Sequence, residues 1–269
     1  MNTRARTALV IGASGLVGRA LLQQLAAPDS GYATVHALLR KAIAPAPKGV
    51  QQHVLDFSRL PLTVHAADDL YCALGTTIRV AGSKEAFRAV DFDTVINTAR
   101  AAQAAGVKRM AVVSAMGAGA TSPVFYNRVK ADTEAALRSM AFQRLVIARP
   151  SLLVGPRETL GQAPRPSEAL MVKIFTPIAG VLPASIRPID AQVVARAMCV
   201  ALHQSGDAVQ VIESGELQST SKAASATLPR MLVMFLARKW TRAALSEISR
   251  SLGRKSHSTT TIPKLVGGL

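Results

Sequence analysis

The chain has 269 residues, of which 49% are hydrophobic, and its formal net charge is +16 at pH 7. This length and apolar content predict one sizeable globular domain and exclude a chain that is disordered throughout. No run of about 18 apolar residues occurs, so we expect no membrane-spanning helix. Cys72 and Cys199 lie in apolar stretches without paired or metal-type spacing. They predict reduced thiols and a cytoplasmic protein.

The positive charge is concentrated at the end of the chain. Residues 219–269 carry nine Lys or Arg and one acidic residue, so half of the net charge belongs to this segment. Aromatic residues make up only 4% of the chain, and no basic stretch is interleaved with aromatics that could stack on bases. We therefore expect no nucleic-acid partner for the remaining domain.

The first motif is a strand, a glycine-rich turn and a helix near the start of the chain. The run from Ala8 to Ile11 is typical of a buried parallel strand, and apolar residues at helical spacing continue to Leu25. This order places backbone N–H groups and the positive end of a helix dipole in front of a diphosphate. The alternative is a glycine-rich turn that binds nothing. The predicted cradle consists of Gly12, Ser14, Gly15, Leu16, Val17 and Gly18.

The second predicted strand, 33–39, ends at two cations and no acid. Dinucleotide cradles selective for NAD carry an acidic residue near this point, whereas a basic residue accommodates the 2′-phosphate of NADP. Arg40, followed by Lys41, therefore predicts NADP(H) as the cofactor. The alternative is that Arg40 is only a solvated residue at the end of a strand.

The glycines are spaced Gly-x-x-Gly-x-x-Gly, which resembles the short-chain dehydrogenase/reductase superfamily, particularly its extended and atypical members. The segments 73–77 and 82–93 resemble the Tat-interacting-protein-type group of atypical members, and the likeness runs from about residue 8 to residue 216. The resemblance implies an NAD(P)-binding oxidoreductase fold. It also implies that Asp56 and Phe57, at the end of a third strand over 53–57, border the adenine. An Asp after a short strand is otherwise usually a turn former.

Two later segments complete the predicted cofactor cleft. The fourth strand ends at Gly75, and ligands lie at the carboxyl ends of strands in open parallel sheets, so the backbone of Leu74, Gly75 and Thr76 is expected to pass the ribose. Residues 84–104 predict a helix that ends at Gly106. Further on, the segment 149–157 resembles the Arg-Pro…Gly-Pro segment of extended members. That resemblance implies that backbone at Pro150 and Leu152 meets the nicotinamide carboxamide.

The predicted chemical centre is Tyr126-x-x-x-Lys130 at the start of a helix. The spacing sets both groups on one helix face, one turn apart. Hydride transfer to a carbonyl needs a positioned acid, and a tyrosine hydroxyl needs a nearby cation to act as base at neutral pH. With Ser114 at the end of the fifth strand, the set resembles the Ser-Tyr-Lys constellation of the superfamily. The resemblance also implies that Lys130 bonds the nicotinamide ribose, and Ser122 is a second candidate for the serine.

The fold class predicted is α/β, with a doubly wound parallel sheet of Rossmann type, a small C-terminal substrate-side region within 157–190 and a basic helical tail. The domain boundaries are 1–218 and 219–269. Residues 190–202 predict a helix capped by Asp190, and 208–212 a last strand. Apolar residues recur every four positions from Leu228 to Leu252 between basic residues. This segment, 228–255, is expected to contact its own domain or a homodimer partner, an anionic membrane surface, or another protein or nucleic acid.

Three functions remain open at this point. The first is an NADP(H)-dependent oxidoreductase acting on a small carbonyl or alcohol, with Tyr126 as acid/base, Lys130 as its electrostatic partner and Ser114 as the residue that orients the substrate oxygen. The second is an NADP(H)-binding regulatory or interaction protein with little or no turnover. The third is epimerase or dehydratase chemistry on a nucleotide sugar. Neither the substrate nor a metal-ligand set can be named from the sequence.

Overall fold

A computed structural model of the chain describes residues 6–155, 183 and 185–219. The strands are β1 (Arg6–Ile11), β2 (Tyr32–Leu39), β3 (Val50–Val54), β4 (Asp69–Cys72), β5 (Arg109–Val113), β6 (Arg144–Arg149), β7 (Leu153–Val154), β8 (Ile189–Asp190) and β9 (Val209–Glu213). The α-helices are α1 (Leu16–Leu25), α2 (Ile78–Ala81), α3 (Lys84–Arg88), α4 (Val95–Ala104), α5 (Phe125–Ser139) and α6 (Ala191–His203). A π-helical turn spans Ala89–Thr94, and residues 214–219 are helical.

Seven strands form a parallel sheet in the order β3-β2-β1-β4-β5-β6-β9, and β7 pairs with β8 separately. The chain therefore reverses direction across the sheet between β1 and β4, which is the point where ligands bind in doubly wound sheets. The central strands β1, β4, β5 and β6 are short, mostly apolar runs buried on both faces, as parallel sheets require, whereas the edge strands β3 and β9 are largely half-buried or exposed. The predicted fold class, a doubly wound parallel sheet, is confirmed.

Helices cover both faces of the sheet. One core contains α1 and α6 packed on alternate residues of the central strands, among them Val10 and Val146. The other contains α4 and part of α5, packed on the opposite residues, among them Ile11 and Ile147. This alternation follows from the two-residue period of a strand. Within the described residues, no helix is both long and apolar enough to cross a bilayer.

Most predicted boundaries agree with the structure, and two differ. The helix predicted over 84–104 is interrupted by the π-helical turn, and Gly106, with a φ of +95°, follows its end. The third strand was expected over 53–57 but spans Val50–Val54, so Asp56 and Phe57 lie in the connection to β4. This strand is at the edge of the sheet, where burial alternates little and gives a weak signal of register.

The amino ends of the strands carry a buried polar network. Asp69 is fully buried and accepts two hydrogen bonds from the Arg109 guanidinium, at 2.6 and 2.8 Å. The Tyr32 hydroxyl also donates to Asp69 and contacts His203 at the end of α6. Burial raises the pKa of Tyr32 far above its usual range, and the Asp69 charge raises it further, so this phenol stays protonated. The network joins β2, β4, β5 and α6 at the end of the sheet opposite the predicted cleft.

Candidate functional site

The turn between β1 and α1 has the backbone geometry of a diphosphate cradle. Gly12 has a φ of +77°, and a Cβ there would lie 2.4 Å from the backbone of Ala73. A Cβ at Gly18 would lie 2.1 Å from the Gly12 carbonyl oxygen, so glycine is needed for α1 to pack on the end of β1. Both glycines are therefore required by close backbone packing.

Gly15 has a different environment from its two neighbours. It is the N-cap of α1, in an extended conformation, and has no side chain to bond the free amides of the first helical turn. Within the described part of the chain, a Cβ at Gly15 would meet only the Gly12 carbonyl oxygen, at 3.3 Å. The amides after Gly15 therefore face space that an anionic group can enter. Ser14 is exposed at this turn, and Leu16 and Val17 have buried side chains.

Lys130 forms a buried ion pair with Asp91 next to the end of β4. Its Nζ lies 2.7 Å from Oδ1 of Asp91, and their side chains are 5% and 0% exposed. The backbone N–H of Thr76 donates to Oδ2 of Asp91 at 2.9 Å. A Cβ at Gly75 would lie 3.5 Å from Asp91 Oδ1 and 3.7 Å from Lys130 Nζ. The segment Leu74 to Thr76 therefore passes directly over this ion pair, with Gly75 itself exposed.

The π-helical turn explains why Asp91 reaches Lys130. The carbonyl oxygen of Asp91 accepts a hydrogen bond from the Thr133 hydroxyl, at 3.0 Å, which joins the turn to α5 one turn beyond Lys130. Burial alone would lower the pKa of Lys130, but a Tyr126 phenolate, when it forms, and the Asp91 carboxylate outweigh that effect and raise the pKa above its usual range. Lys130 is therefore a fixed cation at neutral pH.

Tyr126 lies on the same face of α5 as Lys130. Its ring centroid is 5.9 Å from Lys130 Nζ, and its ring packs against Phe87 at 5.3 Å between centroids. Phe87 is fully buried, whereas Tyr126 is half-buried at the second position of the helix. The ring therefore packs on Phe87 from one side, and the side chain is only half-buried.

Ser114 is buried at the end of β5, and its hydroxyl donates to Oε1 of Glu134 at 2.5 Å. Arg149 holds the same carboxylate with two hydrogen bonds, at 2.9 and 2.6 Å. The hydroxyl hydrogen of Ser114 is therefore engaged, and its oxygen can act toward a ligand as an acceptor. Ser122 differs, because its oxygen accepts from the Val124 amide at 3.2 Å, and no acceptor among the described residues takes its hydroxyl hydrogen.

Two arginines lie at the side of the cleft near the end of β2. Arg40 follows the last residue of that strand and is exposed. Arg19, in the first turn of α1, donates to the Pro45 carbonyl in the loop after β2. Among the described residues, the buried Nε of Arg19 has no hydrogen-bond partner. A ligand phosphate at this position would satisfy it.

Asp56 and Phe57 show the geometry of a turn. The Asp56 carboxylate accepts from the amide and the hydroxyl of Ser58, at 3.0 and 2.6 Å, and these hydrogen bonds lower its pKa from the usual range. Asp56 is exposed, and Phe57 packs against the core beneath the sheet. The local turn accounts for the contacts of Asp56, so its predicted role next to the adenine remains a prediction.

The segment after β6 returns over the glycine turn. Pro150 is buried and its carbonyl accepts from the Met116 amide at 3.0 Å, while the Leu152 carbonyl accepts from the Ile189 amide at 2.9 Å. A Cβ at Gly155 would lie 2.9 Å from Cδ2 of Leu16. The chain between these residues therefore closes one side of the cleft next to α1, where the resemblance implies a nicotinamide carboxamide.

Together the glycine turn, Gly75 and the Tyr126–Lys130 face line the carboxyl ends of β1, β4 and β5. The open position at Gly15 and the exposed backbone at Gly75 fit a dinucleotide that extends from the turn toward α5. A protein-family model described as "NAD(P)H-binding" matches residues 12–153, which is more than half of the chain.

The chain belongs to this NAD(P)H-binding family. Protein HTATIP2 of Rattus norvegicus is 34% identical over 176 residues, which are 63% of this chain and 70% of the relative. The mitochondrial protein FMP52 of Eremothecium gossypii is 40% identical over 154 residues, covering 56% and 68%. The resemblance to the Tat-interacting-protein-type group of atypical short-chain dehydrogenases/reductases is thereby confirmed.

Solved structures of the same architecture include nucleotide-sugar enzymes. MoeE5 in complex with UDP-glucose and NAD has a TM-score of 0.58 at 18% identity, over 82% of both chains. A UDP-glucose 4-epimerase of Thermotoga maritima with UDP-glucose has the same score and identity, over 81% and 82%. At this identity the likeness shows the fold.

The comparisons correct the expected cytoplasmic location. Relatives of 30–40% identity from Eremothecium gossypii, Debaryomyces hansenii and Aspergillus niger are named as mitochondrial proteins. The prediction rested on the two cysteines, which indicate a reducing compartment and do not distinguish the cytoplasm from others of that kind. The cysteines themselves are free, and Cys72 is buried.

A second family model, described as "Bacterial dnaA protein helix-turn-helix", matches residues 210–261. Its first residues lie in β9, which pairs with β6 in the sheet and is therefore not part of a helix-turn-helix. The rest of the match, beyond residue 219, lies outside the described residues, as do residues 156–182 and the predicted contact segment 228–255. The expectations for the substrate-side region, the tail and the absence of a nucleic-acid partner remain predictions.

Sequence reasoning missed three residues at the site. Asp91 sits in a helix whose residues look like an ordinary amphipathic surface, and only the π-helical turn aims it inward. Glu134 has helical spacing of four from Lys130, which places it on the same buried face of α5. Arg19 follows the third glycine directly, so its position near the cradle could have been inferred from the motif.

Proposed function

We propose that this protein is an NADP(H)-dependent oxidoreductase that transfers a hydride between the nicotinamide and a small carbonyl or alcohol. The observation that carries the proposal is the face of α5 beside Gly75, where the half-buried Tyr126 stands one turn before the buried cation Lys130. When bound, NADPH supplies a hydride to the carbonyl carbon. The remaining requirement is a proton for the carbonyl oxygen.

In this proposal the Tyr126 hydroxyl donates that proton, and the Lys130 ammonium stabilises the phenolate that remains. The buried pair with Asp91 keeps Lys130 charged and fixes its position near both Tyr126 and the backbone at Gly75. Lys130 is also the residue proposed to bond the nicotinamide ribose. The phenolate recovers its proton from solvent before the next turnover, because the Tyr126 end of the helix is accessible.

The roles of the two serines are proposed from whether each hydroxyl hydrogen is already donated within the protein. A carbonyl oxygen needs a donor, and the Ser114 hydrogen is engaged by Glu134 while the Ser122 hydrogen is available. Ser114 is therefore proposed to accept from the alcohol, and Ser122 to donate to the carbonyl. Ser122→Ala should then lower kcat for carbonyl reduction more than Ser114→Ala, and equal effects would refute this division.

The preference for NADP(H) over NAD(H) is proposed from the positive charges of two arginines near the end of β2. Arg40 is exposed at the end of β2, and Arg19 has an unpartnered Nε among the described residues. Both cations lie where a 2′-phosphate is held in dinucleotide-binding sheets. Arg40→Ala should raise the Kd for NADPH at least tenfold and leave that for NADH unchanged. Lys108→Ala, an exposed lysine at the opposite end of the sheet, is the matched control, and a wild-type preference for NADH would refute the proposal.

The activity is tested by NADPH oxidation with a panel of aldehydes and ketones. Turnover with at least one compound is expected, and Tyr126→Phe should abolish it while the NADPH Kd changes less than threefold. Ser139→Ala, at the distant end of α5, is the matched control for effects on the helix. Turnover that survives in Tyr126→Phe would refute the assigned role of the phenol.

A second function is favoured by the same polar contacts. Both the Ser114 hydrogen and the Lys130 ammonium are engaged within the protein, by Glu134 and Asp91. Such a site could hold NADP(H) without turnover and serve as a cofactor-binding interaction protein. This function predicts tight NADPH binding, no oxidation with the panel, and a partner whose affinity differs at least tenfold between the apo and NADPH-bound protein.

A further inference from the structure

Three histidines from separate segments meet at the edge of the sheet, away from the cofactor turn. His36 lies in β2, His53 in β3 and His65 in the connection from β3 to β4. Nδ1 of His36 is 2.9 Å from Nε2 of His53, and Nδ1 of His53 is 3.0 Å from Nε2 of His65. One ligand nitrogen from each ring lies within 4.8 Å of the other two.

The register of the sheet brings the first two histidines together. His53 pairs with Leu38, so His36 and His53 lie diagonally on one face of neighbouring strands. That face also carries Leu9, the partner of His36 in β1. His65 is brought to the same place because Val64 and Ala67, in its own segment, pack against this core. The cluster is therefore fixed by the fold on two strands and by apolar packing of the third segment.

We propose that His36, His53 and His65 bind one Zn²⁺ ion, with water as the fourth ligand. Zn²⁺ in proteins takes a tetrahedral set of nitrogen ligands at about 2.0–2.1 Å, which separates the nitrogens by about 3.3 Å. His53 uses a different nitrogen in each of its two contacts, so the ion would take one of them. One nitrogen from each ring then lies within 4.8 Å of the other two, and rotation of the rings has to shorten the longer separations to about 3.3 Å.

The chemistry of the three ligands selects the class of metal. Imidazole nitrogen suits zinc and its neighbours in the transition series, whereas Mg²⁺ and Ca²⁺ require oxygen ligands. The burial is graded from the buried His36 through the half-buried His53 to the exposed His65, which gives the ion an entry path and leaves room for water.

Metal binding would connect the segment between β3 and β4 to the sheet edge. In the part of the chain that the structure describes, no helix covers this crossover. Backbone hydrogen bonds at Leu55 and Asp68 hold its two ends, and apolar contacts and the His53–His65 contact hold the stretch between them. An ion bound by His36, His53 and His65 would link this connecting segment to both β2 and β3. The expected effect is a higher melting temperature and greater resistance of residues 55–68 to proteolysis when Zn²⁺ is present.

The test uses the full chain without an affinity tag, after removal of metal with a chelator. Titration calorimetry with ZnCl₂ should show one saturable site. Co²⁺ should produce the visible absorption of a tetrahedral complex, and MgCl₂ should give no binding. His53→Ala and His65→Ala should each weaken Zn²⁺ binding at least tenfold. His203→Ala, at the end of α6 and outside the cluster, is the matched control and should bind as the wild type does.

His65→Ala is the decisive variant, because its side chain is exposed and its removal leaves no cavity in the core. Its melting temperature in chelator should equal that of the wild type, which excludes misfolding as the cause of weaker binding. The proposal is overturned if the wild type binds no Zn²⁺ stoichiometrically, or if His65→Ala and His53→Ala both bind with wild-type affinity.

Discussion

Replacing Gly15 and Gly18 by alanine separates what the cradle does for the fold from what it does for the cofactor. A Cβ at Gly18 would lie 2.1 Å from the Gly12 carbonyl oxygen and 2.7 Å from Ala13 Cα, and neither backbone atom can move without shifting β1 or α1. Overpacking of this kind costs about 3 kcal/mol or more. The gain from alanine in a helix, about 1 kcal/mol, offsets only part of it. Gly18→Ala should therefore destabilise the fold strongly.

Gly15→Ala should leave the fold largely stable and weaken binding of the cofactor. Its extended backbone, with a φ of −78°, accepts any residue, and the new methyl group would meet only the Gly12 oxygen, at 3.3 Å. Losing glycine at an N-cap costs about 1 kcal/mol. The methyl group would instead occupy the approach of the diphosphate. Charged hydrogen bonds contribute about 1.5–3 kcal/mol each, so losing one raises the Kd roughly 10- to 100-fold.

The assay pairs urea unfolding with a fluorescence titration of NADPH for each variant and the wild type. Gly15→Ala is expected to keep most of the stability and lose affinity, and Gly18→Ala to lose stability first. The reasoning is refuted if Gly15→Ala binds NADPH with wild-type affinity. It is also refuted if Gly18→Ala unfolds at the wild-type urea concentration.

The remaining predictions concern buried ionisable groups. Lys130→Met should lower the free energy of unfolding by about 3–5 kcal/mol, because it leaves the Asp91 carboxylate buried and unpaired, and adding Asp91→Asn should recover at least about 1 kcal/mol of that in urea unfolding. Burial alone would raise the pKa of Asp69, but hydrogen bonds from its neighbours, Arg109 among them, lower it. The ionised Asp69 carboxylate therefore stabilises the folded state. This contribution to the free energy of unfolding is fully present above about pH 4 and is lost as the pH falls through the lowered folded-state pKa. Asp69→Asn should flatten this acid limb of a stability profile, and an unchanged limb would contradict the assignment. Burial raises the pKa of Cys72 to about 11, so only about one thiol in a thousand is ionised at pH 8 and a thiol reagent should leave Cys72 unmodified until the protein unfolds.

The sheet and most of its helices could be predicted from the sequence because their signals are local. Buried parallel strands are continuous apolar runs, and the positions of Gly12 and Gly18 are dictated by backbone packing that the motif states directly. The N-cap at Asp190 is also predicted from the local sequence, and its carboxylate accepts a hydrogen bond from the Gln192 amide at 2.6 Å. The predicted bounds of the edge strand β3 are wrong because a partly exposed strand lacks a continuous apolar run.

The electrostatics of the site could not be predicted in the same way. Asp91, which pairs with Lys130, lies in a π-helical turn, and nothing in the local pattern distinguishes that turn from an ordinary one. The Ser114–Glu134 contact joins residues 20 positions apart, and the histidine cluster depends on strand register and on where a loop folds back. Sequence spacing gives the candidates, and long-range packing decides which groups meet.

The most direct test of the account is a crystal structure of the protein with NADPH bound. We expect the diphosphate within hydrogen-bonding distance of the amides of Leu16 and Val17, the 2′-phosphate near Arg40, and the nicotinamide facing the Tyr126 hydroxyl. A diphosphate bound elsewhere, or a nicotinamide turned away from Tyr126, would contradict the central claim that the glycine turn and α5 form one coenzyme site.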